Sequence, residues 1–145
     1  MVVVPFPFLS LTAQKPQNSA YPTELKTIGD HIKKKRLDLG LLQKDVAKVV
    51  GTTTKTLPNW EKNHVTPAIR FMPKIIKFLG YIPFEIGESL QEKLLAYRKL
   101  RGLSRENAAI EIGVYESTLW KWEKGIISPR FRTAKEKVAR VIQSY

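Results

Sequence analysis

Within TTKTLPNWEK, residues 53–62, the side chains of Thr53, Thr54, Lys55 and Asn59 bring hydroxyl, ammonium and carboxamide groups into a span of seven residues. Their chemistry suits the exposed edges of base pairs: lysine reaches guanine O6 and N7, asparagine pairs bidentately with adenine, and threonine meets thymine through its hydroxyl and methyl. A net charge of +12 agrees, because excess Lys and Arg on a folded module attracts polyanions. Covalent and metal chemistry finds no equipment here. The chain has no cysteine, no glycine-rich phosphate loop, no metal-ligand spacing and no acidic cluster. His31 and His64 read as ordinary surface histidines. The sequence therefore reads as a binding protein and not an enzyme, with no cofactor, metal or small-molecule ligand.

Such side chains act together only if one element holds them, and an internal repeat supplies it. TLPNWEKNHVTPAIR, from Thr56, returns as TLWKWEKGIISPRFR, from Thr118, at an offset of 62 residues. Without any gap this offset also pairs Arg36 with Arg98, Gly40 with Gly102, Ala47 with Ala109, Gly51 with Gly113, Trp60 with Trp122 and Glu61 with Glu123. Identities running from Arg36 to Arg70 have the length of a small domain, so the chain reads as two copies, residues 23–84 and 85–145. Each copy has twelve Lys and Arg; the first sets them against five acids, the second against eight. Residues 1–22 fit neither copy. Pro5 and Pro7 interrupt their apolar run and no basic residue precedes it, which makes a poor signal peptide and reads as a flexible leader, with a docking arm as the alternative. No apolar run approaches the roughly 20 residues that would span a bilayer.

Every element of a copy reads as helical. Thr27 with Asp30 forms a capping signal for a first helix that ends at Gly40. In QKDVAKVV, Val46, Val49 and Val50 share a face with Ala47, and Gly51 ends that helix. Thr53 can cap a third over TKTLPNWEK, and Thr66 with Pro67 resembles the start of a fourth that closes at Gly80. The second copy repeats the plan in SLQEKLLAYRKLRG, SRENAAIEIG and ESTLWKWEK, then a helix from about Thr133 to Gln143. A small Ala47, a bend at Gly51 and an apolar Leu57 are what two helices need to cross over a tight turn, and Ala109, Gly113 and Leu119 repeat them.

RLDLGLLQKDVAKVVGTTTKTLPNWEKN and RKLRGLSRENAAIEIGVYESTLWKWEKG both resemble XRE-like helix-turn-helix domains of the Cro and phage-repressor type. The resemblance implies an all-α chain of two tandem lambda-repressor-like domains, four to five helices each, whose third helices enter the DNA major groove. It implies a bacterial or phage transcriptional regulator that binds double-stranded DNA in the cytoplasm at the nucleoid, away from membrane, and leaves a homodimer open. Base contacts are then expected from Thr53, Thr54, Lys55 and Asn59, phosphate contacts from Gln43 and Lys62. In copy two Arg105 takes the place of Gln43, and the equivalent face is Tyr115, Glu116, Ser117, Trp120 and Lys121, with Lys124 beyond. Similar domains pair Arg36 with Glu61, and Arg98 with Glu123, as a partly buried salt bridge. Trp60 and Trp122 read as core, and Lys33–Lys35 as a solvated face. Pro58 departs from the family pattern and predicts a kink or a 3₁₀ start to helix three. Two other functions compete: an interaction protein whose second copy binds a partner through exposed Tyr115 and Trp120, and the DNA-binding end of a mobile-element enzyme.

Overall fold

The structure, a computed structural model, describes residues 20–130 and 132–145; most of the predicted leader, residues 1–19, lies outside them. Among the described residues there are eight α-helices, one 3₁₀ turn and no strand, the all-α class expected. The chain divides into two compact units. One holds residues through Pro67 together with Phe78–Pro83, the other Ala68–Lys77 together with Phe84–Tyr145. No helix among the described residues is long and apolar enough to cross a membrane.

In the first unit α1 spans Ile28–Asp38, α2 Gln43–Val50 and α3 Thr56–Glu61. The capping box at α1 is complete: Asp30 N–H donates to Thr27 Oγ1 at 3.1 Å and Thr27 N–H to Asp30 Oδ2 at 2.9 Å. Both satisfy amides that the first turn leaves without helical partners. At α2 the Leu42 side chain cannot cap, and Asp45 accepts from the Leu42 amide instead. Gly51 then turns the chain at φ 77°, a conformation that costs a residue with a β-carbon about 1–2 kcal/mol.

α3 packs against both α1 and α2. Ile32, Val46, Ala47, Val50, Leu57 and Trp60 are buried, the full burial of each large side chain contributing about 1.5–3 kcal/mol. Val49 departs from the predicted face and is 54% exposed, because α2 turns only Val46, Ala47 and Val50 inward. Pro58 delays α3, as expected of a residue without an amide hydrogen. Leu57 N–H reaches the Thr53 carbonyl, but nothing at Pro58 can donate to Thr54, so the helix proper begins at Thr56 after an i→i−3 bond from Thr56 to Thr53. Pro58 thereby occupies the third helical position, among the amides a helix never pairs internally.

Thr66 and Pro67 do not start a helix. A 3₁₀ turn, Ile69–Phe71, precedes α4, Met72–Leu79. Pro73 explains the delay: a continuous helix would need its missing amide hydrogen for the Ile69 carbonyl, and the chain closes Phe71 N–H onto Ala68 instead. The boundary between the two units falls within α4.

The second unit carries α5, Leu90–Arg101, α6, Arg105–Ile112, α7, Glu116–Glu123, and α8, Arg132–Gln143. Ser89 and Glu92 cap α5 reciprocally, and Ser104 caps α6 through the Asn107 amide. Gly102 and Gly113 end these helices at φ 66° and 85°. α5 packs on α7 and α8, and α6 on α7, around Leu94, Tyr97, Ala108, Ala109, Leu119, Trp122, Ala134 and Val138. The buried Tyr97 hydroxyl donates to Glu111 at 2.6 Å, which removes the cost of an unpaired polar group in this core.

Candidate nucleic-acid interface

α3 presents Lys55, Asn59 and Lys62 at spacings of four and three residues, which places them on one side of the helix. All three are exposed, as are Thr53 and Thr54 just before them. Asn59 Nδ2 donates to the Lys55 carbonyl at 3.3 Å, which orients the carboxamide along the helix and leaves its second N–H to donate elsewhere. The Thr53 hydroxyl has local work: it accepts from the Thr56 amide at 3.1 Å and lies 2.8 Å from the Thr56 hydroxyl. Of the predicted base-reading residues, Lys55 and Asn59 are thus brought together as a pair, whereas the Thr53 hydroxyl is engaged by the turn that leads into α3.

Behind this face the helix is held by charge. Arg36 Nε and Nη2 donate to the two Glu61 oxygens at 2.6 and 2.9 Å, and Arg36 Nη1 donates to the Leu41 carbonyl at 3.1 Å. The Glu61 side chain is 2% exposed, so its charge is compensated inside the protein, by a bidentate partner whose fork fits a carboxylate. Gln43, predicted to meet phosphate, joins this network by donating to Glu61 Oε2 at 2.9 Å. It stands at the first residue of α2 with one amide hydrogen committed inward.

The end of α3 has a second tie that the sequence reading missed. Asn63 adopts φ 60°, accepts from the Thr27 hydroxyl at 2.6 Å and donates to Asp30 at 2.9 Å, which joins the end of α3 to the start of α1. Burial raises the Asp30 carboxyl, but hydrogen bonds from Asn63, from Thr27 and from the Thr27 and Lys26 amides outweigh that and hold it below its ordinary value. Gly29 belongs to the same approach, since a β-carbon there would lie 1.8 Å from the Trp60 carbonyl oxygen. The signals were present: a glycine inside a helix, and an asparagine where the offset of 62 gives Gly125, itself at φ 69°. His31, read as a plain surface residue, is half-buried with Nδ1 2.8 Å from the Tyr81 hydroxyl.

In the second unit, α7 exposes Glu116, Ser117, Trp120 and Lys121, with Tyr115 at its N-cap and Lys124 at its C-cap. Tyr115 is 84% and Trp120 40% exposed, whereas Trp60 and Trp122 are core residues as expected. The ionic network recurs in altered form. Arg98 donates to Glu123 at 2.8 Å, and Arg105 donates to the other Glu123 oxygen at 2.9 Å while lying 3.9 Å from Glu116. Arg105, predicted to contact phosphate, therefore already faces two carboxylates. Across the two faces Thr53, Lys55 and Pro58 correspond to Tyr115, Ser117 and Trp120, so the second is more aromatic and holds an acid where the first holds Thr54.

No curated protein and no solved structure matches the chain. Residues 32–86, which run from within α1 past the end of α4, match the helix-turn-helix family model and support an XRE-like helix-turn-helix over that stretch.

Proposed function

We propose that the protein binds double-stranded DNA sequence-specifically and regulates transcription, with α3 in the major groove and residues 85–145 as a second, tandem helix-turn-helix copy. The observation that carries the reading is the exposed Lys55–Asn59–Lys62 side of α3, braced from behind by the buried Glu61. A guanine edge suits Lys55, an adenine edge Asn59, and a phosphate suits Lys62 just beyond them. The second Gln43 amide hydrogen and the backbone amides of Gln43 and Lys44 in the first turn of α2 suit a further phosphate. Within this reading the first unit does most of the base recognition, because Arg105 is engaged by Glu123 and Glu116 stands near it.

A second reading has its own support. Tyr115 and Trp120 stand exposed on the second unit as aromatic anchors of the kind protein interfaces use, so that unit also suits a protein partner.

Selection of bound sequences from a random duplex pool, followed by titration of the selected site at several salt concentrations, tests the DNA reading. An enriched motif is expected, with log affinity falling against log salt by about 0.9 for each phosphate neutralised. No enrichment together with a flat salt dependence would remove nucleic acid from the account.

A further inference from the structure

Glu116, Trp120 and Lys124 follow one another at four-residue steps, so an acid, an indole and a base form a single stripe along α7. The Glu116 side chain is 55% exposed and Trp120 40% exposed, and Lys124 is exposed at the C-cap. The acid and the base each lie four residues from the indole, on either side of it. A second α7 turned end for end about Trp120 would therefore set each acid opposite a base. We propose that this stripe is the contact between two copies of the chain, related by a two-fold axis at Trp120, with indole against indole and Glu116 of each copy against Lys124 of the other.

A two-fold interface uses the same patch twice and must be self-complementary, which this stripe is. The first unit cannot pair in this way, since Thr54, Pro58 and Lys62 stand at the corresponding positions and offer no acid and no aromatic ring. DNA is a poorer occupant of the stripe, because Glu116 would repel phosphate and Arg105 is bonded to Glu123. Where the proposed DNA reading also holds, the dimer carries two copies of α3 and recognises a site with two halves.

Sedimentation equilibrium of the full chain without DNA tests the pairing. The wild type should be dimeric. Glu116→Lys and Lys124→Glu should each raise the dissociation constant at least about tenfold by setting like charges face to face, and Trp120→Ser should do the same. The combined Glu116→Lys/Lys124→Glu variant restores opposite charges across the axis and should regain the dimer. Circular dichroism confirms that each variant is folded. A wild type that stays monomeric at its highest soluble concentration would overturn the proposal, as would a dimer indifferent to Glu116→Lys or a combined variant that stays apart. Random-pool selection is scored separately, so a monomer that enriches a DNA motif removes the pairing alone, and a charge-dependent dimer that enriches none removes the DNA reading alone.

Discussion

Replacement of Glu61 by alanine should produce the largest loss of stability in the first unit. Its side chain is 2% exposed and accepts three hydrogen bonds, two from Arg36 at 2.6 and 2.9 Å and one from Gln43 at 2.9 Å. Without the carboxylate, the guanidinium of Arg36, 13% exposed, keeps its bond to the Leu41 carbonyl but has no counter-charge, and Gln43 loses its acceptor. Breaking one side of such a pair costs about 3 kcal/mol. For a unit of this size that corresponds to a fall of about 12–24 °C in its melting temperature. The assay is thermal and denaturant unfolding followed by tryptophan fluorescence, to which the adjacent Trp60 contributes. Two comparisons isolate the cause. Arg36→Met combined with Glu61→Leu removes both charges and should melt within about 1 kcal/mol of wild type or above it. Glu123→Ala should cost less than Glu61→Ala, because Glu123 is 11% exposed against 2% for Glu61, and of the two cations left behind Arg105 is 32% exposed and still lies 3.9 Å from Glu116, so that only Arg98, 14% exposed, stays buried without a counter-charge. If Glu61→Ala melts with the wild type, or if the charge-free pair is as unstable as the single variant, an uncompensated buried charge is not what the network prevents.

Lys55→Ala or Asn59→Ala should weaken binding to the selected site by about 1–3 kcal/mol and relax its sequence preference, measured by competition between specific and scrambled duplexes. Gly29→Ala should destabilise the first unit by more than about 2 kcal/mol, since the added β-carbon meets the Trp60 backbone and not a movable side chain; a melt equal to wild type would show that α1 can shift away from α3. The Asp30 carboxyl lies below its ordinary value of 3.8 in the folded chain, so its contribution to stability is complete above that value and is lost as pH falls through the lower folded one. Asp30→Asn should therefore flatten the acid limb of the melting temperature against pH while lowering stability near neutrality, which unfolding curves across that range will check.

The sequence by itself determined most of the elements, the start of α4 excepted, because their signals are local and recur in both halves of the chain. The capping pairs Thr27–Asp30 and Ser89–Glu92, the left-handed glycines Gly51 and Gly113, and the buried Ala47, Leu57, Ala109 and Leu119 each depend on a few neighbouring residues. The offset of 62 residues then shows where each signal must recur. The Arg36–Glu61 and Arg98–Glu123 pairs were legible through the resemblance to XRE-like domains, and both recur at a separation of 25 residues. What required tertiary structure was the choice among partners. Gln43 and Arg105 have donors that suit a phosphate as well as a carboxylate, and only the meeting of α2 with α3, and of α6 with α7, places Glu61 and Glu123 within 2.9 Å of them. Gly29 and Asn63 carry a signal in one dimension, a glycine inside a helix and an asparagine where the repeat has Gly125, but only the approach of α1 to the end of α3 shows what they are for. The exposure of Trp120 against the burial of Trp122, two residues apart in one helix, was decided in the same way, by which side of α7 the core covers. A side chain's type states what it can bond, and the packing of helices from distant parts of the chain decides which bond is within reach.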